Sequence, residues 1–327
     1  MKTGSWPIAA LALLWAMVAG TAPVAAQTKW NLPGAYPQNN YHSENLQWFA
    51  DEVKKATDGK LEITVHPGAS LFKAPEIKRA VATGQVQMGE VLISIHENED
   101  PVFGLDTIPF LATSYADSYK LWQAQKPAIA KKLESQGILV LYTAPWGPQG
   151  IYASKEIKAV DDMKGLKMRA YNVGTTRIAE LVGAQAVTVQ AAELPQALAT
   201  GTVNAFMTSG STGYDSKVWE TMTYWFDVQA WIPKNLVMVS KAAFSSLPKD
   251  QQVAIIVAAE AAEARGWKIG EEKAQWYVEQ LTAKGLKIVP PSDELKSGLK
   301  KIGDQLIADW QKRAGKAGEE VLATYRK

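Results

Sequence analysis

Residues 74–88 read APEIKRAVATGQVQM, and residues 192–205 read AELPQALATGTVNA. Both carry Ala-Thr-Gly-x-Val. Ahead of the glycine, apolar residues fall at helical spacing: Ile77, Ala80 and Val81 in one segment, Leu194, Ala197 and Leu198 in the other. Gly84 and Gly201 then stand where a left-handed helix C-cap is wanted. A short strand follows each. The flanks repeat as well. Upstream of Gly84, Thr28–Leu32 predicts a strand, Ser43–Thr57 a helix with Leu46, Phe49, Ala50 and Val53 on one face, and Leu61, Ile63 and Val65 alternate as a strand does. Upstream of Gly201, the order is a strand at Lys167–Tyr171, a helix at Thr175–Val182 ending at Gly183, and a strand at Ala186–Val189. Each half reads β-α-β-α-β, which predicts an α/β protein of two lobes with parallel sheets and flanking helices. A cleft should lie between the lobes, and a ligand beyond the carboxyl ends of their strands.

The last third differs. Pro248 to Gly285 is one long helical stretch rich in Ala, Glu, Lys and Gln. At ~1.5 Å per residue it spans ~50 Å, enough to cross both lobes. Gly266 and Gly270 are expected to kink it. Leu286–Val289 predicts one more strand and Leu295–Tyr325 a closing helix. The chain is expected to change lobes near Pro145–Gln149, near Pro233 and within the long helix. That divides it into 27–147 plus 235–270 for lobe one and 148–234 plus 271–327 for lobe two.

At the N-terminus, Lys2 precedes an apolar stretch, Ile8–Val18, and small residues reach Val24 and Ala26. This is a secretory pattern, with residues 1–26 as the signal peptide and Gln27 as the mature end. The apolar run is shorter than the ~20 residues of a membrane span. The mature chain is therefore expected in the periplasm, without a membrane anchor. With no Cys, disulfides, thiol catalysis and a lipoprotein anchor are excluded. The net charge is +2, or +1 without Lys2, and gives no electrostatic case for nucleic acid.

The three His, at 42, 66 and 96, follow no zinc-ligand spacing. No GxSxG elbow, phosphate-binding loop or GxGxxG occurs. Glu97-Asn98-Glu99-Asp100 lacks EF-hand spacing and reads as a solvated turn. No metal, cofactor or catalytic constellation is expected, and a binder is favoured over an enzyme. Arg169 falls at the carboxyl end of the first strand of lobe two, pointing toward the cleft, where its guanidinium fork suits a carboxylate.

Four stretches, GLKMRAYN (165–172), ATGTVNAFMTSG (199–210), GASLFKAPEIKRAVATGQVQMGEV (68–91) and DTIPFLAT (106–113), carry a resemblance over the whole mature chain. They resemble the DctP-like solute-binding subunits of tripartite ATP-independent periplasmic (TRAP) transporters. The resemblance implies a Venus-flytrap fold, a long helix shared by both lobes, a small carboxylate ligand and delivery to a membrane permease. It also implies that Arg169, in the family's Lys-x-Arg strand, binds the ligand. Thr208 stands where the family often has Asn, and Ser209 and Gly210 follow it. Asn172 closes the Arg169 segment. Trp146 and Gln149 occupy the crossover, where a second Arg of members binding acidic sugars is not seen. Tyr41 and His42, after the first strand with Asn40, and Glu90, near a strand end, are weaker candidates.

One cation without a second points to a monocarboxylate. Its body is expected to be apolar, either aromatic or that of a short aliphatic 2-oxo or 2-hydroxy acid, with walls drawn from Trp146, Tyr171, Phe206, Tyr214 and Trp231. Trp219 and Trp225 are further candidates. An exported enzyme acting on a small acid and the ligand-binding component of an extracytoplasmic sensor are the alternatives.

Overall fold

The computed structural model describes Met1 and residues 27–327; the leader and cleavage site read from the sequence lie outside the described residues. Lobe one is laid down first: β1 (Thr28–Pro33), α1 (Tyr41–Ala56), β2 (Leu61–His66), α2 (Ala74–Ala82), β3 (Met88–Leu92), α3 (Tyr115–Glu134) and β4 (Ile138–Pro145). The chain then crosses to build lobe two from β5 (Gly150–Ala153), β6 (Lys167–Ala170), α4 (Val173–Leu181), β7 (Gln185–Thr188), α5 (Leu194–Ala199), β8 (Ala205–Thr208), α6 (Gly210–Asp215) and β9 (Tyr224–Phe226). β10 (Lys234–Ser240) and α7 (Lys241–Ser246) return to lobe one. α8 (Lys249–Ala283), β11 (Lys287–Val289) and α9 (Asp293–Tyr325) complete the chain.

The two repeated segments are α2–β3 and α5–β8. The apolar residues that marked them are buried in both. Gly84 and Gly201 adopt φ of 73° and 65°, the left-handed conformation that lets each helix stop and a strand begin.

The sheets are not all parallel. β1 pairs with β2 in parallel, whereas β10 runs antiparallel between β3 and β4. The six-stranded sheet of lobe two has the order β11-β9-β5-β8-β6-β7, with β5 antiparallel to both neighbours. The cause is the crossing itself. β5 and β10 enter their sheets from the other lobe, so they start at the cleft while β4 and β8 end there. Gly150 thus faces Thr208, and Lys234 faces Pro145. Four strand termini are gathered at one place by this arrangement.

α8 ties the lobes together. Ile255, Ala258, Ala259 and Ala262 pack in the core of lobe one with Phe49, Tyr142 and Val237. Leu281, further along, packs in the core of lobe two with Leu194, Phe206 and Trp225. The helix runs unbroken through Gly266 and Gly270, where a kink was expected. The glycines serve close approach instead. A Cβ on Gly266 would sit 3.0 Å from Ala144 Cβ, and one on Gly270 would sit 3.0 Å from the Pro145 carbonyl oxygen. Both contacts fall where β4 runs into the crossover. α9 straps the far side: Leu295, Leu299 and Trp310 share a core with Trp122 of α3 and Ile178 of α4.

Gly270→Leu should force α8 off the crossover. Chemical denaturation is expected to show a loss of about 1–3 kcal/mol, the usual range for overpacking. Unchanged stability would mean that the helix is not held there by close packing.

Candidate ligand-binding site

The gathered strand ends surround a cavity between the lobes, about 460 Å³ of space including its open mouth. Tyr36, Leu92 and Ile95 come from lobe one, Trp146 and Gln149 from the crossover, and Arg169, Tyr171, Thr208 and Ser209 from lobe two.

Arg169 sits near the end of β6 with only 3% of its surface exposed. Its Nε donates to the Val189 carbonyl at 2.9 Å, the one hydrogen bond of this side chain among the described residues. The guanidinium lies 4.9 Å from the centre of the Tyr171 ring. Among the described residues no carboxylate lies within ion-pair distance of it. Burial pulls its pKa down from 12.5 to about 10, with Tyr171 and Tyr36 acting weakly the other way. The group remains a cation at neutral pH, and its terminal amines are left to the cavity. Desolvating a cation without a counter-charge costs several kcal/mol, and a bound carboxylate would offset that cost.

The aromatic walls are fixed from behind. Trp146 Nε1 donates to Asn235 Oδ1 at 2.8 Å, and Tyr36 Oη donates to the same oxygen at 3.4 Å. The two rings meet edge to face, 4.6 Å between centroids. Gln149 Nε2 donates to the Gly147 carbonyl at 2.7 Å, and Tyr171 Oη donates to Gln149 Oε1 at 3.3 Å. Ser209 caps α6 through its hydroxyl, which accepts from Thr212 N at 3.3 Å.

The residues singled out in the sequence separate into two groups. Arg169, Trp146, Gln149, Thr208 and Ser209 meet around the cavity. The others stand outside it. Asn172 caps α4, and its Nδ2 donates to Ser94 Oγ of lobe one at 2.9 Å, which ties the lobes at the cleft edge. His42 and Glu90 are buried behind the Tyr36–Trp146 wall. His42 Nδ1 is 3.4 Å from Glu90 Oε1, and its ring is 4.1 Å from that of Trp146. Tyr41 Oη donates to the Pro145 carbonyl at 2.6 Å, and with Gly210 it faces a separate hollow beside α8.

Of the five expected wall aromatics, Trp146 and Tyr171 line the cavity. Phe206 stacks on Tyr152 in the lobe-two core, Trp231 is fully buried, and Tyr214 packs on Tyr277. Trp219 and Trp225 also pack in the lobe-two core. Sequence reasoning missed Tyr36 and Asn235. The position of Tyr36, just past the carboxyl end of β1, was a usable signal. Nothing distinguished Asn235 within a buried strand.

Replacing Asn235 with Leu would leave two buried donors unpaired. Each such donor costs ~1–3 kcal/mol, so Asn235→Leu should lose about 3 kcal/mol of stability in denaturant titrations. A loss below ~1 kcal/mol would show that the walls stand without it.

A two-lobed α/β protein with a buried cation in its interlobe cleft has the form of a solute receptor. Residues 34–313 match the family of bacterial extracellular solute-binding proteins, family 7, and the chain belongs to it. It is a DctP-like solute-binding protein of the TRAP class, in a family of binding proteins. Its relatives include DctP6 of Bordetella pertussis, an extracytoplasmic solute receptor binding pyroglutamic acid. That structure is 54% identical and superposes with a TM-score of 0.90 over 91% of this chain and 99% of its own. A marine metagenome TRAP solute-binding protein specific for pyroglutamate is 46% identical, with a TM-score of 0.90 over 92% and 99% of the two chains. The monocarboxylate 2-oxoacid-binding periplasmic protein of Nostoc is 25% identical, covering 94% of this chain and 87% of its own. Among the described residues, no helix is long and apolar enough to cross a membrane.

Proposed function

We propose that this chain is the periplasmic receptor of a TRAP transporter that captures a small monocarboxylate, with pyroglutamate the first candidate, and delivers it to the membrane permease. The observation that carries this reading is Arg169: a guanidinium 3% exposed, facing the interlobe cavity with no carboxylate partner among the described residues. A ligand carboxylate supplies that partner.

Arg169 is the one cationic side chain lining the cavity among the described residues besides otherwise neutral walls. A second ligand carboxylate would be desolvated there without a counter-charge, at a cost that selects against diacids. Pyroglutamate has one carboxylate on a compact lactam ring. In this reading the ring lies between Tyr36, Trp146 and Tyr171, and the hydroxyls of Thr208 and Ser209 flank the carboxylate. The amide of Gln149 meets the lactam edge. The two pyroglutamate-binding relatives at 54% and 46% identity support this choice over an aromatic acid. The 2-oxoacid-binding relative keeps a short 2-oxo acid as the second candidate.

Calorimetry with pyroglutamate, pyruvate, lactate, mandelate, benzoylformate, indole acids and succinate tests the ligand class. Pyroglutamate should bind most tightly; a clear preference for succinate would overturn the monocarboxylate reading. Arg169→Ala should fold normally and lose at least ~2 kcal/mol of binding, roughly thirtyfold in Kd. Arg169→Lys should also bind more weakly, because the two-pronged geometry goes. Wild-type affinity in Arg169→Ala would remove Arg169 from the site.

A further inference from the structure

Away from the cavity, the lobes also meet at the amino end of α1. Asn40 is fully buried there and performs two tasks with one amide. Its Oδ1 accepts from His42 N at 2.9 Å, capping α1. Its Nδ2 donates to Asp215 Oδ2 at 2.7 Å, across the seam at the end of α6 in lobe two. The cap fixes the amide's orientation, so the nitrogen must face lobe two.

We propose that the Asn40–Asp215 contact is a lobe latch that takes up one proton as the cleft closes, so that solute capture is coupled to proton binding. The inference rests on the reading of this chain as a cleft-closing receptor. The proton comes from solvent and adds to the Asp215 carboxylate.

The surroundings of Asp215 are poor in positive charge. From α1, Tyr41 and Glu44 face it; from α8, Lys273 and Tyr277; Tyr214 neighbours it on its own helix. Lys273 Nζ is 3.2 Å from Glu44 Oε2, so the one cation at the seam is shared with a second carboxylate. The hydroxyls of Tyr41 and Tyr277 stay neutral, pushed upward mainly by burial. Asp215 thus has a neutral donor as its direct partner. Burial pushes its carboxyl up to about 6, Glu44 adds to the rise, and Asn40 and Lys273 oppose it.

With the lobes apart, Asp215 would lose Asn40 and regain water, returning to an ordinary carboxylate value near ~4. The closed form then binds a proton more tightly than the open form. Above about pH 7 both forms are ionised, and closing moves a charge into a half-buried position. Between about pH 6 and pH 4, closing draws in a proton and becomes easier. By linkage, solute affinity should rise as pH falls, on the order of tenfold from pH 7 to pH 5.

Calorimetry of the mature protein with L-pyroglutamate, between pH 5 and pH 8 in buffers of different ionisation enthalpy, counts the protons directly. The expected result is uptake of about one proton per ligand near pH 5 and none at pH 8. Asp215→Asn keeps an acceptor for Asn40 in neutral form. It should bind with pH-independent affinity and no uptake, at least as tightly as the parent at pH 7. This separates Asp215 from His42, Glu90 and His96, which remain in the variant. Binding without proton uptake in the parent, or uptake that persists in Asp215→Asn, would overturn the latch alone. The parent measurement decides the matter even if the variant is unstable. No binding at any pH would overturn the functional reading and the latch with it.

Discussion

A guanidinium held out of water without a carboxylate is unfavourable, and the cleft is organised around that debt. Arg169 is anchored by one backbone carbonyl and flanked by one aromatic face, which orient it without neutralising it. Burial holds its pKa down at about 10, because desolvation disfavours the charged form. Had the fold supplied an aspartate there, the site would be satisfied and closed to an anion. In the proposed reading, a ligand carboxylate supplies the counter-charge that the fold withholds.

The rest of the frame keeps that arrangement rigid. β10, which carries the Asn235 that holds Tyr36 and Trp146, is pinned where it re-enters lobe one. Lys234 Nζ lies 2.8 Å from Asp106 Oδ2, Lys234 N donates to the same oxygen at 3.1 Å, and Gln125 Oε1 accepts from Nζ at 3.2 Å. The pair is fully buried, so breaking it would strand a charge. On the opposite side, the bare glycine faces of α8 let the spanning helix seat directly on the β4 crossover. The floor and one wall of the cavity are thereby held by contacts outside the cavity. Single hydrogen bonds also join the lobes at the cleft, Asn172 to Ser94 and Asn40 to Asp215.

Much of this was legible in the residues. The paired Ala-Thr-Gly-x-Val segments announced two lobes because helical spacing followed by a left-handed glycine has few other solutions. Arg169 was visible because a strand end facing a cleft is a poor place for a structural cation. Strand direction was not legible. Hydrophobic pattern reports which residues are buried, and a strand entering from the neighbouring lobe has the same pattern as one that does not. Gly266 and Gly270 were misjudged for a related reason: periodicity along one helix says nothing about what presses on it. His42 and Glu90, expected to meet the ligand, lie at the strand ends but one layer deeper, behind aromatic rings. Glu97-Asn98-Glu99-Asp100, read as a solvated turn, is built into the fold. Glu97 pairs with Arg313 of α9, Glu99 pairs with Lys78, and Asp100 accepts from Val102 N. Partners distant in sequence, at 313 and 78, are what a local reading cannot see.

The recognition of a carboxylate by Arg169 is most directly tested by comparing pyroglutamate with 2-pyrrolidinone, the same lactam without its carboxylate, in paired calorimetric titrations. If the buried guanidinium carries the recognition, pyroglutamate binds and 2-pyrrolidinone does not. Comparable affinity for both would contradict it, and would place recognition in the aromatic walls instead.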